Sequence, residues 1–284
     1  MGLGVMGTPM ALNLARKYPL TVWNRSAAKY SPLVQAGAHV ADTPRALADG
    51  SDVIFTMLFD EIALQSILDT EFKEGLRGKT LINMGSVSVT FSEYLARQIH
   101  EAGGHFIEMP VSGSKVPAEH GQLIGMLAGD LVIVERIKPL VEPITKEAVY
   151  CGEIGMALKT KYAVNLYAIT MTVGLAESMG LARAQGLDIR AFGQVLDAGP
   201  MASAYSKLKL GKMINEDWSA QAAIKDCYNL TQLIDQASDA VLAKSPLIHL
   251  SGLLYKEAID QGFGEDDMIA VAKVLGNIEP KKTE

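Results

Sequence analysis

The sequence predicts an α/β domain built on a doubly wound parallel sheet over residues 1–156, followed by an all-α domain over residues 157–284. Three observations predict it. In the first half, short apolar runs alternate with amphipathic stretches, the rhythm of strand and helix in turn. Two of those runs, 52–58 (DVIFTML) and 79–84 (KTLINM), are almost continuously apolar, as strands covered on both faces are. From Leu158 to Gln185 there is no proline, and Tyr162, Leu166, Ile169, Val173 and Ala176 recur at three- and four-residue steps.

Taken in order, the chain opens with Gly2-Leu3-Gly4-Val5-Met6-Gly7, a G-x-G-x-x-G turn, and Pro9 suits the first turn of a helix after it. Residues 20–23 (LTVW) read as a strand and 27–36 as a helix. Strands at 52–58, 79–84, 105–108, 123–128 and 148–151 follow, with helical segments between them. The helix over 158–185, on the order of 40 Å long, is more than one small domain needs and joins the two domains. Further helices are expected at 189–198, 204–214, 222–243, 246–261 and 268–275, with no strand among them. A turn of the opening kind normally follows a buried strand, and here only Met1 precedes it. The first strand is therefore expected to be truncated, with several more residues before Met1 in the natural or expressed protein and Met1 at the last strand position. The mass of the intact protein tests that expectation.

Composition removes several classes of function. The 26 basic and 32 acidic residues leave a net charge of −6 with no sustained basic block, which argues against nucleic acid or an anionic membrane as the main partner. Cys151 and Cys227 form neither a metal spacing nor a disulfide framework, as in a reduced, cytoplasmic protein. No run of 18 apolar residues occurs, and the N-terminus lacks the build of a signal peptide. N-myristoylation needs Ser or Thr at position 6, where this chain has Met6.

The glycine turn suits a dinucleotide pyrophosphate, because glycine permits close backbone approach and the helix behind it offers free N–H groups. By itself the pattern is equally a structural turn. Asn24, Arg25 and Ser26 end the next strand, where an acidic side chain would read a ribose 2′-hydroxyl. An amide, a guanidinium and a hydroxyl there suit a 2′-phosphate instead, so NADP(H) is the expected cofactor. The segment 108–121 (EMPVSGSKVPAEHG) offers Ser112 and Gly113 to a substrate carboxylate, or is a plain turn; His120 reads as a solvated loop residue. Lys161 and Asn165 are four apart on one helical face, whereas Lys159 points elsewhere. Desolvation beside so apolar a helix suits Lys161 to proton transfer, although a helix-start lysine is more often a surface group. That bland reading applies more strongly to Lys225.

Together the segments GLGVMGTPMALNL, VWNRS, EMPVSGSKVPAEHGQL, GMALKTKYAVN and AAIKD resemble, in this order, the β-hydroxyacid dehydrogenase family. The branch of NADPH-dependent glyoxylate and succinic semialdehyde reductases is the best match, and the likeness runs from Gly2 to about Gly276. It implies a Rossmann-type domain and reduction of a small-molecule carbonyl substrate, an aldehyde or keto acid. It implies Lys161 as proton donor, Asn165 as its orienting partner, and Ser112 and Gly113 on the substrate carboxylate. It further implies that Leu58 and Ser86 line the cofactor with residues 2–7, and that Lys225 closes over cofactor and substrate. No metal is implied. The active site is expected in a cleft between the domains, in a homodimer or a tetramer.

Four departures from the family pattern stand out. Asn83 and Gly85 replace Asp and Ser, Ala157 replaces a glycine before the lysine, and Met109 replaces alanine and is expected to narrow the substrate pocket. Competing readings are an imine reductase of the same fold, a 3-hydroxyisobutyrate-type dehydrogenase and a non-catalytic NADP-binding module. Lys161 weighs against the first and the last.

Overall fold

The computed structural model describes residues 1–58 and 60–276; Phe59 and residues 277–284 lie outside the described residues. The chain divides into two compact units, Met1–Lys161 and Tyr162–Glu284.

In the first unit α1 (Gly7–Ala15) follows the glycine turn and leads to β1 (Thr21–Val22). A 3₁₀ turn (Ala27–Lys29), α2 (Ser31–Gln35), β2 (His39–Val40), α3 (Pro44–Asp49) and β3 (Val53–Thr56) come next. Then come α4 (Glu61–Ile67), α5 (Thr70–Glu74), β4 (Thr80–Asn83), α6 (Val89–Glu101) and β5 (His105–Glu108). The unit continues through β6 (Val111–Ser112), α7 (Lys115–Glu119), β7 (Leu123–Ala128), α8 (Leu131–Val141) and β8 (Thr145–Gly152). The long helix α9 (Met156–Ala184) starts within it. Five of these helices start where a side chain satisfies an orphan N–H: Thr43, Asp60, Asp69, Ser88 and Asp130 each accept one or two from the first turn of α3, α4, α5, α6 and α8.

The strands form two sheets, β1 with β2 in one and β3-β4-β5-β7-β6 in the other, with β8 added alongside β7. Pairing is parallel from β3 to β5 and between β7 and β8. It is antiparallel where β7 meets β5 and β6, so the sheet is mixed rather than wholly parallel. The cause is local. Pro110, which has no N–H to donate, separates β5 from β6 where both run against β7, and the connection from Gly113 to Gln122 is too short for the crossover that a parallel neighbour needs. Ile82, Ile107, Leu123 and Leu127 from the strands pack against Met10 and Leu14 of α1 and against Ile133, Val134 and Ile137 of α8. The two sheets meet at the start of the chain. The Met1 amine donates to Phe55 O at 2.7 Å, Met57 N to Met1 O at 3.0 Å, and Gly2 N to Trp23 O at 3.3 Å. Met1 thus lies between the C-terminal ends of β1 and β3. Behind it a cavity of about 410 Å³ is lined by Thr21 and Val22 on one side and Val53, Ile54 and Phe55 on the other.

The second unit, as described, is helical. The remainder of α9 is followed by α10 (Ile189–Ala198), α11 (Ala204–Ile214), α12 (Ile224–Ala240), α13 (Pro246–Asp260), a 3₁₀ turn (Met268–Val271) and α14 (Ala272–Leu275). The helix expected at 268–275 begins as that 3₁₀ turn, in which all four residues are buried and Asp267 accepts the Ile269 N–H. Asp267 organises this corner. It is fully buried, takes Lys209 Nζ at 2.7 Å, and accepts the Gln221 N–H at 2.8 Å. Removing one partner of such a pair leaves a buried charge uncompensated. Lys209→Met is therefore expected to cost about 3–5 kcal/mol in urea denaturation, whereas a change in an exposed pair such as Lys256–Asp260 costs about 1 kcal/mol or less.

Candidate active site

The glycine turn is built by steric exclusion. Gly2 has φ +87°, and a Cβ there would collide with the Met57 carbonyl and lie 3.0 Å from Leu58 Cδ2. A Cβ on Gly7 would collide with the carbonyl oxygen of Gly2. Gly4 differs: it is exposed, and a Cβ on it would meet nothing within 4 Å. Two glycines therefore serve the protein's own packing, and the third keeps an open approach. Val5 is exposed beside it, and α1 begins with no side chain capping its N-terminus at Met6. Open backbone, uncapped N–H groups and the positive end of the helix dipole fit a pyrophosphate.

Asn24 joins this turn to the end of β1. Its Oδ1 accepts the Leu3 N–H at 2.9 Å, and its Nδ2 donates to Ser26 O at 3.0 Å. The amide expected at a 2′-phosphate is thus engaged in holding the turn and the strand end together, while Arg25 and Ser26 are exposed beside it. Leu58 lies against the same turn. Its carbonyl also comes within 2.6 Å of where a Gly85 Cβ would be, which brings the Ser86 segment alongside. Gly85 is thereby explained, since a side chain would collide with Leu58. Asn83, 1% exposed, accepts from Thr56 Oγ1 at 3.1 Å and from Gly85 N at 3.3 Å, so its amide shapes the turn that carries half-buried Ser86.

A second group forms around β6. Lys161, only 9% exposed, reaches from α9 to donate from Nζ to Val111 O at 2.7 Å. Ser112 and Gly113 follow directly. Gly113 has φ +125°, and Leu123 Cδ2 would be 2.7 Å from a Cβ on it. The chain can therefore turn there, with an exposed backbone, only as glycine. Asn165 stands one turn further along α9 and is half-buried. Lys159 is exposed, and His120 is exposed with Nδ1 2.8 Å from Val116 O. Lys225 belongs to the second unit, where its Nζ lies 2.6 Å and 2.8 Å from the two Glu265 oxygens, which raise its pKa.

Two residues correct or extend the sequence reading. Met109, expected to narrow a substrate pocket, is fully buried in the core; its Cε would be 2.8 Å from a Cβ on Gly125 of β7. It fills the room left by that glycine. Glu108 was legible only as a strand end, yet it is 1% exposed. Its Oε1 accepts from Ser92 Oγ at 2.5 Å and from Gly155 N, at the start of α9, at 2.9 Å, while Oε2 has no hydrogen-bond partner. Burial raises its pKa, and the Ser92 hydroxyl and the N–H groups of Gly155, Leu158 and Ala157 oppose that rise. The signal that could have found it is a lone carboxylate at the end of an otherwise apolar run (HFIEMPV).

Comparison with known proteins places these features in context. The NAD binding domain of 6-phosphogluconate dehydrogenase matches residues 1–152. The NAD-binding region of NADP-dependent 3-hydroxyisobutyrate dehydrogenase matches residues 155–275. Glyoxylate/succinic semialdehyde reductase 2, chloroplastic, from Arabidopsis thaliana is 33% identical over 97% of this chain and 78% of its own length. Glyoxylate/succinic semialdehyde reductase 1 from the same plant is 31% identical over 97% and 96%. The solved structure of Psf3 in complex with NADP+ and 2-OPP superposes with a TM-score of 0.88 at 25% identity, covering 96% of this chain and 98% of that one.

The glycines separate packing from binding. Gly7→Ala is expected to destabilise the protein by about 1–3 kcal/mol in urea denaturation, since a well-packed backbone must shift. Gly4→Ala is expected to leave stability unchanged and to weaken NADPH binding about tenfold or more, read by fluorescence titration.

Proposed function

Because the chain belongs to the β-hydroxyacid dehydrogenase family, and is an NAD(P)-dependent oxidoreductase acting on CH–OH groups, we propose that it uses NADPH to reduce a small aldehyde or keto acid of the glyoxylate or succinic semialdehyde type. The observation that carries this reading is Lys161, a buried ammonium held 2.7 Å from Val111 O, immediately before Ser112.

In this reading residues 1–156 hold the dinucleotide and residues 157–284 form the substrate and dimerisation domain. The turn from Gly2 to Gly7 cradles the pyrophosphate. Arg25 and Ser26 favour the 2′-phosphate, with Asn24 holding them to the turn, and Leu58 and Ser86 line the nicotinamide end. When bound, the nicotinamide supplies a hydride to the carbonyl carbon. Ser112 Oγ and the Gly113 N–H hold the substrate carboxylate, which orients the carbonyl. The Lys161 ammonium stabilises the oxygen as it gains charge and then gives it a proton, and the reverse reaction uses the same lysine as base. Withdrawn from water, that charge acts more strongly than it would at the surface. Assigning Asn165 to orient Lys161, and Lys225 to cofactor and substrate, rests on family resemblance. The protein is proposed to work as a cytoplasmic homodimer or tetramer. Among the described residues, no helix is long and apolar enough to cross a membrane.

Lys161→Ala is expected to lower kcat for glyoxylate reduction on the order of 10²–10⁴-fold, with the KM for NADPH little changed. Glyoxylate, succinic semialdehyde, 3-hydroxyisobutyrate and a cyclic imine, each with NADP(H) and NAD(H) in parallel, define the specificity. Turnover of the imine alone, or full carbonyl reduction by the alanine variant, would overturn the reading.

A further inference from the structure

We propose that Glu108 is a positioning residue for Lys161: its buried carboxylate pins the first turn of α9 to the strand segment that carries Ser112. The inference rests on the reading of Lys161 as proton donor.

A carboxylate that is 1% exposed is costly unless hydrogen bonds repay its lost hydration. Glu108 ends β5 and receives those bonds from two other elements. Ser92 Oγ of α6 donates at 2.5 Å, and Gly155 N, directly before α9, donates at 2.9 Å. The N–H groups of Leu158 and Ala157, also at the start of α9, oppose the rise that burial causes in its pKa. Glu108 therefore does for α9, from 47 residues away, what Asp60 or Ser88 does for its own helix from the N-cap position.

The charge suits this place, because the N-terminus of a helix carries roughly half a positive charge. An ionised carboxylate also only accepts hydrogen bonds. A glutamine keeps one acceptor for Ser92 and Gly155, but it loses the charge and puts a buried NH₂ where Oε2 has no hydrogen-bond partner.

The consequence lies in where the two ends of this clamp fall. Glu108 holds the start of α9. Three residues further along the same strand segment, Val111 O receives Lys161 Nζ at 2.7 Å. Helix and strand are thus tied at two points, with Ser112 and Gly113 immediately beyond the second. If the first tie loosens, α9 can shift along or away from β6, and the ammonium moves relative to the residues that hold the substrate carboxylate. A displacement of about 1 Å in a reacting group is enough for roughly a 10²-fold loss in rate.

A double-mutant cycle tests this, measured by steady-state kinetics and by single turnovers with enzyme in excess. Glu108→Gln is expected to lower kcat for glyoxylate reduction by about 10²-fold while the KM for NADPH stays within about twofold. In a Lys161→Ala background the same change is expected to alter the residual rate by less than about twofold, because the group being positioned is gone. Ser92→Ala removes one donor, and is expected to give a smaller loss, about 3–10-fold, with the same dependence on Lys161. It carries the test if Glu108→Gln does not fold. Equal losses with and without Lys161, or a rise in the KM for NADPH matching the fall in kcat, would overturn the proposal. Full activity in Lys161→Ala alone would instead remove the lysine from the chemistry, and the proposed mechanism with it.

Discussion

The first unit depends on how closely the backbone at Gly2 passes the carbonyl of Met57. That approach excludes any side chain at residue 2, and the same crowding recurs between Gly7 and the carbonyl of Gly2. With the backbone so compressed, Met1 hydrogen-bonds to residues on either side of the end of β3, and Gly2 to the residue after β1. Leu3 then reaches Asn24, and Leu58 lies between the turn and Gly85. The turn, the strand end at 24–26 and the Ser86 segment come together because one peptide unit is packed without room for a methyl group. Sterics set that approach, the N–H groups of Gly2 and Leu3 are taken up by Trp23 O and Asn24 Oδ1, and the uncapped start of α1 is left to face an anion.

The second constraint is electrostatic. Around β6 the protein buries an ammonium and, three residues earlier in the same strand segment, a carboxylate, each bonded across to another element. Polar groups in such an interior are held to one geometry because the alternative is an unsatisfied charge. In the second unit Lys209 and Asp267 apply the same principle to architecture alone, fastening α11 to the 3₁₀ turn and the segment before α12. The two sites show similar buried charges put to different ends.

Much of this was readable in the chain, for physical reasons that differ by feature. The long helix and the apolar strands were legible because side-chain periodicity reports local geometry, and α9 extends from Met156 to Ala184 where 158–185 was expected. The glycine turn was legible because backbone sterics are also local. Glu108 was not, since its partners Ser92 and Gly155 lie 16 and 47 residues away and neither has a distinctive sequence context. The antiparallel pairing of β7 was equally hidden, although Pro110 and the short connection after Ser112 hold its cause. Asn24 was recognised as belonging to the cofactor segment, while its bond to Leu3, which depends on tertiary approach, was not.

The packing of Met109 against Gly125 carries a consequence for how this sequence can change. The methionine methyl group and a side chain at residue 125 compete for one volume, so the two positions are coupled although 16 residues separate them in the chain. Shrinking Met109 alone leaves a void in a fully buried layer, and enlarging Gly125 alone forces a clash. Changed together, small for large and large for small, they conserve the volume of the layer. A designer who replaces the methionine with alanine should therefore supply the missing bulk from β7.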